Sequence, residues 1–180
     1  MRTLAIALLA IAQPALAAGK FTLKSADLKD GGKLSESHVF NGFGCQGGNV
    51  SPQLSWSNPP SGTKSFVVTA YDPDAPTGSG WWHWVVYDIP ADARELPKGA
   101  GGGTGLPAGA VQGRTDFGAP GYGGACPPPG KPHRYVFTVF ALKVDKMDVP
   151  DGASPAYVGF MTHAGKLGSA KLTVKYGRAK

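Results

Sequence analysis

Ser65-Phe66-Val67-Val68-Thr69-Ala70-Tyr71, Trp84-Val85-Val86-Tyr87-Asp88-Ile89 and Arg134-Tyr135-Val136-Phe137-Thr138-Val139-Phe140-Ala141-Leu142 are three runs dense in β-branched and aromatic residues and apolar at successive positions. Such runs suit strands covered on both faces, so all three are expected at the centre of a sandwich or a layered sheet. Weaker strand patterns surround them. Phe21 to Lys24 is a short opening strand, Gln53 to Ser57 alternates like an edge strand, and Lys171 to Tyr176 closes the chain. In that last segment Leu172, Val174 and Tyr176 alternate with Lys171 and Lys175, the pattern of a terminal strand with one solvated face. A single helix is expected, with Ser154 as N-cap, Pro155 in the first helical position and the end near Gly165 to Gly168. Its apolar stripe, Tyr157, Phe160, Met161 and Ala164 at i, i+3, i+4 and i+7, is assigned to the core.

Composition agrees with a β-rich, loop-rich globule. The chain has 180 residues, room for one domain, and 42% hydrophobic residues, enough for a core. The 27 Gly and 16 Pro demand many turns, and only 17% of residues are charged, which disfavours helical bundles and coiled coils. The net charge of +6 directs attention to anionic partners. Lys and Arg are scattered rather than clustered, which argues against a nucleic-acid surface. Residues 97 to 113 hold seven Gly and read as a loop, but lack the Gly-x-Gly-x-x-Gly of a dinucleotide site.

Arg2, the apolar run Leu4 to Ala12 and Ala15-Leu16-Ala17 form a signal peptide, with cleavage expected after Ala17. The run is too short for the ~20 residues of a spanning helix. The mature domain, 18–180, is therefore expected to be exported without a transmembrane anchor, periplasmic or secreted in a Gram-negative bacterium. In an oxidising compartment the two cysteines, Cys45 and Cys126, are most simply one disulfide. Neither has a Cys or His two to four residues away, so no metal site is expected.

Chemistry concentrates in two segments, Asp72-Pro73-Asp74-Ala75-Pro76 leading to Trp81-Trp82-His83-Trp84, and Gly121-Tyr122-Gly123-Gly124 leading through a proline run to His133-Arg134-Tyr135. Asp72, His83 and His133 all fall at strand ends beside glycine-rich loops, where a carboxylate, imidazoles and loop amides can build a small polar pocket. The alternatives are bland: Asp72 and Asp74 as turn caps, and His83 as a core histidine between tryptophans. Trp81, Trp82 and Trp84 could stack on a ligand, and alternation places Trp82 and Trp84 on one strand face. His38 and His163 carry no partner pattern, and the Asn49-Val50-Ser51 sequon is incidental.

Asn49-Val50-Ser51-Pro52-x-Leu54-x-Trp56, Asp72-Pro73-Asp74-Ala75-Pro76, Trp82-His83-Trp84, Tyr122-Gly123-Gly124 and His133-Arg134-Tyr135-Val136-Phe137, in this order, resemble the phosphatidylethanolamine-binding protein family, and more narrowly its bacterial Raf-kinase-inhibitor-like branch. The resemblance spans about residues 35 to 178. It implies a mostly β single domain, a β-sandwich with Greek-key topology, and a pocket for phosphate or a phosphorylated head group such as that of a phospholipid. Asp72, His83, His133 and Tyr135 match the pocket-lining positions, with Gly121 and Gly123 contributing from the loop; Asp74, Pro76 and Trp82 match positions that shape it. The resemblance also implies a cis Ala75–Pro76 bond and a Cys45–Cys126 disulfide. The long C-terminal helical extension of eukaryotic relatives is absent, so kinase regulation and lipid gating are not implied.

In physical terms, imidazole N–H groups of His83 and His133, the Tyr135 hydroxyl and backbone N–H groups of 121–124 would bind an oxyanion. Binding would tighten as pH falls through the histidine range near 6.5, until Asp72 protonates. The leading expectation is a binding protein for a small anionic or phosphorylated ligand, without a cofactor. Two others stand beside it: a module that inhibits a protein partner, a kinase or protease, and a hydrolase using the same Asp and two His. For the last, no Gly-x-Ser-x-Gly elbow or His-Glu-x-x-His motif is present.

Overall fold

The three apolar runs become the middle of one antiparallel sheet. In a computed structural model that describes residues 19–179, the strands are β1 (Thr22–Lys24), β2 (Asn41–Gly42), β3 (Cys45–Gln46), β4 (Leu54–Ser57), β5 (Ser65–Asp72), β6 (Trp81–Pro90), β7 (Glu95–Leu96), β8 (Val111–Gln112), β9 (His133–Leu142) and β10 (Lys166–Tyr176). One helix, α1 (Pro155–Gly165), lies between β9 and β10. The proposed leader, residues 1–17, lies outside the described residues.

The large sheet has the order β10-β9-β5-β6-β8 and a second sheet the order β1-β4-β7; β2 and β3 form a separate hairpin. The β9–β10 hairpin returns beside β5 after a long excursion, the Greek-key connection of a β-sandwich, and the sheets stay open. Side chains of β5 alternate between two cores: Phe66, Val68 and Ala70 pack between the sheets with Trp56, Trp84 and Val86, while Val67 packs on the other face with Val85, Leu142, Met147 and Val158. Because both faces are covered, period-two polarity is missing from β5 and β9 and their sequences are continuously apolar. The exposed edge, β10, carries Lys166, Lys171 and Lys175, which discourage pairing with a further strand. The chain also protects part of this edge itself, because Gly31 and Leu34 donate N–H groups to the Thr173 and Lys175 carbonyls.

Several boundaries differ from those expected. β6 starts at Trp81 and β10 at Lys166, both earlier than their most apolar residues, because pairing with β5 and β9 extends them. Residues 97 to 113 contain a 3-10 turn at Ala100–Gly102 and the short strand β8, which pairs with Val86 and Tyr87. Trp82 and Trp84 face opposite sides of the sheet. A register shift pairs Ala70 with Trp84 but Tyr71 with Trp82, inserting His83 as an extra residue that breaks the alternation. Trp84 is in the inter-sheet core, whereas Trp82 packs on Tyr71 at a centroid distance of 4.5 Å and borders the other core.

The helix begins as expected, with the Ser154 hydroxyl accepting the Tyr157 N–H. The expected core stripe is wrong. Pro155, Val158, Thr162 and Gly165 face inward, while Phe160 is 70% exposed and Tyr157 and Ala164 are also exposed. The inward face packs Val158 against Val67, Val85, Leu142 and Met147, with Met161 partly buried beside them, and the Gly165 carbonyl accepts the Lys143 N–H at the helix end. Ser154→Ala is expected to cost about 1 kcal/mol in urea denaturation, the usual loss for a removed N-cap oxygen.

Candidate functional site

Asp72 ends β5 and His133 opens the neighbouring β9, so the ladder itself brings them together. His133 Nδ1 lies 2.7 Å from Asp72 Oδ2, and Asp72 Oδ1 accepts the Asp74 N–H at 2.8 Å. Both carboxylate oxygens of this buried residue are therefore engaged. The following loop is tied back by Asp74, whose carboxylate takes Nε and Nη2 of Arg134 at 2.9 and 2.8 Å and the Arg134 backbone N–H. The Arg134 guanidinium holds Asp74 well below the usual carboxylate range, against a smaller opposing effect of burial. This clip presents Ala75, Pro76 and Thr77 to the cavity. Ala75–Pro76 is trans, contrary to expectation. The Asp72–Asp74 side-chain turn and the Thr77 N–H bond to the Ala75 carbonyl close the loop without a cis bond, so the ordinary preference for trans is not overridden.

His83 enters from β6 at the bulge, which turns its ring toward Tyr135 (5.1 Å between centroids) and Phe117 (5.5 Å), both edge-on. Its Nδ1 is 2.7 Å from the Gly123 carbonyl oxygen. A carbonyl only accepts, so Nδ1 carries the proton. Burial pushes the His83 pKa down, against the opposing pull of the Gly123 carbonyl and the Asp72 charge. A ring kept neutral when folded but free to protonate when unfolded makes the unfolded chain the better proton binder as pH falls below about 6.5. Stability is accordingly expected to drop from pH 7.5 to pH 5, measured as the urea midpoint. His83→Asn, which keeps an N–H for Gly123, should remove this part of the slope.

Tyr135, two residues into β9, is 3% exposed, and its hydroxyl has no partner among the described residues. Burial, reinforced by the Asp72 charge, pushes its pKa far above the ordinary tyrosine value, so the hydroxyl is a permanent donor. Asp72, His83, His133 and Tyr135 line one cavity of about 170 Å³ together with Pro76. Four residues expected at the site do not line it. Asp74 acts through Arg134, and Trp82 points to the opposite sheet face, its place being taken by Trp81. Gly121 and Gly123 are absent from the lining, and the amides expected to donate are spent internally: Tyr122 N–H to Gly101 O, Gly123 N–H to His83 O and Gly124 N–H to Asn49 Oδ1. Gly123 is a positioning residue. A Cβ there would collide with the Phe117 ring, and its carbonyl sets the His83 tautomer.

The mouth is apolar, and of its residues the sequence points only to Trp81. Phe43, Trp81, Phe117, Pro127 and Pro128 surround it. Phe117 is the hub, 4.6 Å from Phe40, 5.9 Å from Phe43 and 5.4 Å from Trp81. It is placed by Asp116, which exchanges hydrogen bonds with the Trp82 backbone at both N and O. Phe43 is 68% exposed at the tip of the β2–β3 hairpin, with φ of +52°. The Cys45–Cys126 disulfide joins that hairpin to the pocket wall, Cys126 itself lining the cavity, and the Arg178 guanidinium spans both sides through the Gly44 and Pro127 carbonyls. The only local signals were Gly42 and Gly44 around Phe43 and the cysteine beside them.

His38 is a buried histidine bonded to the Val50 carbonyl, outside the cavity. Asn49 bonds both Tyr122 O and Gly124 N, so its amide is structural. Among the described residues, no group of three or more His, Cys, Asp or Glu could hold a metal ion, and no helix is long and apolar enough to cross a membrane.

Comparison with known proteins places this geometry in context. Residues 24–177 match the family model described as phosphatidylethanolamine-binding protein. The UPF0098 protein YbhB of Escherichia coli is 59% identical over 155 residues, covering 86% of this chain and 98% of that protein. YbcL of Escherichia coli is 58% identical over 162 residues, covering 88% of each. The crystal structure of YbcL, described as a new member of the mammalian PEBP family, superposes with a TM-score of 0.86 at 57% identity, over 88% of this chain and 99% of that one. A phosphatidylethanolamine-binding protein from Plasmodium vivax, at 18% identity and a TM-score of 0.53 over 89% of this chain and 86% of that one, shares the fold.

Proposed function

This chain belongs to the phosphatidylethanolamine-binding protein family, and we propose that it is an exported binding protein for a small phosphorylated or otherwise oxyanionic ligand, held in the Asp72, His83, His133 and Tyr135 cavity. The observation that carries the proposal is the Tyr135 hydroxyl, a buried donor with no protein partner in the wall of a cavity. An unmet buried hydroxyl costs about 1–3 kcal/mol, and a ligand oxygen would repay it. His133 supplies the second donor. Its Nδ1–H is fixed on Asp72, and in the doubly protonated ring Nε2 donates to a ligand oxygen. Aromatic and proline residues at the mouth would cover the organic part of a phosphate ester.

Export rests on the leader pattern of residues 1–17 and agrees with a disulfide at the pocket wall. Cell fractionation with N-terminal sequencing of the mature chain tests it, Ala18 being the expected first residue.

Calorimetric titration with inorganic phosphate and phosphoethanolamine at pH 6 tests binding. Saturable heats are expected for wild type, with affinity reduced at least about tenfold in His133→Ala, the loss of one charged hydrogen bond. An affinity unaltered in the variant would refute the assigned role of His133.

A further inference from the structure

We propose that the pocket selects oxyanions that bring their own hydrogen-bond donor, because His83 borders the cavity with the lone pair of Nε2 and not with an N–H. The inference deepens the anion-binding proposal above and rests on it. Its basis is the 2.7 Å contact between His83 Nδ1 and the Gly123 carbonyl. A neutral imidazole has one N–H, and that contact consumes it. Nε2 then only accepts, and it has no partner among the described residues.

The charges around the ring point the same way. From β5 it faces the Asp72 charge; from β9, the Tyr135 ring, with His133 in the same cavity; from the 114–124 segment, the Asp116 charge, the Phe117 ring and the Gly123 and Gly124 backbone. Among the described residues no Lys or Arg lines the cavity, and the nearby Arg134 is committed to Asp74. With Asp72 ionised, protonating His133 brings that pair only to neutrality. A dianion with no proton would meet a lone pair at His83 and no net positive charge, whereas a singly protonated phosphate offers P–OH to Nε2 and its remaining oxygens to Tyr135 and His133. An ammonium beside a phosphodiester could supply the same donor. The shared requirement is an anion with an adjacent N–H or O–H.

Four probes separate these sources by calorimetry on wild-type protein at pH 6 and constant ionic strength: inorganic phosphate against sulfate, and glycerophosphoethanolamine against glycerophosphocholine, whose quaternary ammonium has no N–H. Phosphate is expected to bind at least about tenfold more tightly than sulfate, the effect of one hydrogen bond to a charged group. Discrimination in the first pair alone assigns the donor to P–OH, and in the second pair alone to the ammonium; either supports the proposal. Equal affinity within both pairs overturns it while leaving anion binding intact. Binding of none of the four overturns the anion-binding proposal and this one together. In His83→Gln, which can turn an NH₂ toward the cavity, the phosphate-to-sulfate ratio should collapse toward one. Should that variant fail to fold, nitrogen-15 NMR of the wild-type ring is decisive, since a protonated Nε2 with bare Nδ1 at pH 7 would overturn the assignment.

Discussion

Replacing both cysteines, Cys45→Ala with Cys126→Ala, is expected to lower the unfolding free energy by up to about 4.5 kcal/mol and to weaken phosphate binding in the same protein. The bond joins residues 81 apart, and the chain-entropy relation for a closed loop of that length gives the upper figure. Most of that effect lies in the unfolded chain, which regains the freedom of the open loop. The functional loss has a different origin. The bond fastens a two-residue-stranded hairpin, β2–β3, which carries Phe43 onto Phe117 at the mouth. Without the bond its base stays tied through the Phe40 N–H to the Ala125 carbonyl and Phe40 on Phe117, but its tip is held only by the Phe43 contact and by the Arg178 contacts to Gly44 and Pro127, which are long, at 3.2 and 3.5 Å. Urea denaturation of wild type, reduced wild type and the double variant measures the first effect, and phosphate titration under native conditions the second. A variant as stable as wild type would contradict the entropic account; one destabilised but binding normally would show that the hairpin does not shape the mouth.

Tyr135→Phe is expected to move stability and binding in opposite directions. Its hydroxyl is buried without a partner, so removing the oxygen relieves a desolvation cost and should stabilise the free protein by about 1 kcal/mol. The same change deletes a neutral donor on a residue of the cavity wall, one that does not ionise in this range. Phosphate affinity should fall at least about tenfold, by about the same factor at pH 6 and pH 7.5. A Tyr135→Phe protein that is less stable than wild type would mean that the hydroxyl already has a partner when free, and unchanged affinity would remove it from the site.

The fold was legible in the sequence wherever one residue pattern has one meaning. Continuous β-branched runs marked β5 and β9, and alternating Lys and apolar residues marked β10. Ser154-Pro155 marked the start of α1 because a cap and a fixed φ act locally. The phase of α1 was not legible, since the residues that cover Val158, namely Val67, Val85 and Leu142, lie on strands far away in the sequence. Likewise, strict alternation put Trp82 beside Trp84, but pairing of β6 with β5 inserts His83 as a bulge and sends the tryptophans to opposite faces.

At the site, Asp72, His83, His133 and Tyr135 were found from motifs and do share one cavity. What the motifs hid was hydrogen-bond commitment. The glycine-rich pattern of 121–124 suggests free donors, but Gly101, His83 and Asn49 take the Tyr122, Gly123 and Gly124 amides. His83 looked like an N–H donor until Gly123 was seen to hold its proton. The aromatic mouth escaped notice because Phe43 and Phe117 meet across 74 positions of sequence that no local pattern connects.

Amide and histidine-ring NMR of the mature protein, titrated with inorganic phosphate at pH 6, tests the central claim most directly. Saturable shifts clustered on Asp72, His83, His133 and Tyr135, with the largest ring-nitrogen change at His83 Nε2 and His133 Nε2, are the predicted result. Spectra unchanged at these residues in millimolar phosphate, or shifts spread over surface lysines instead, would contradict it.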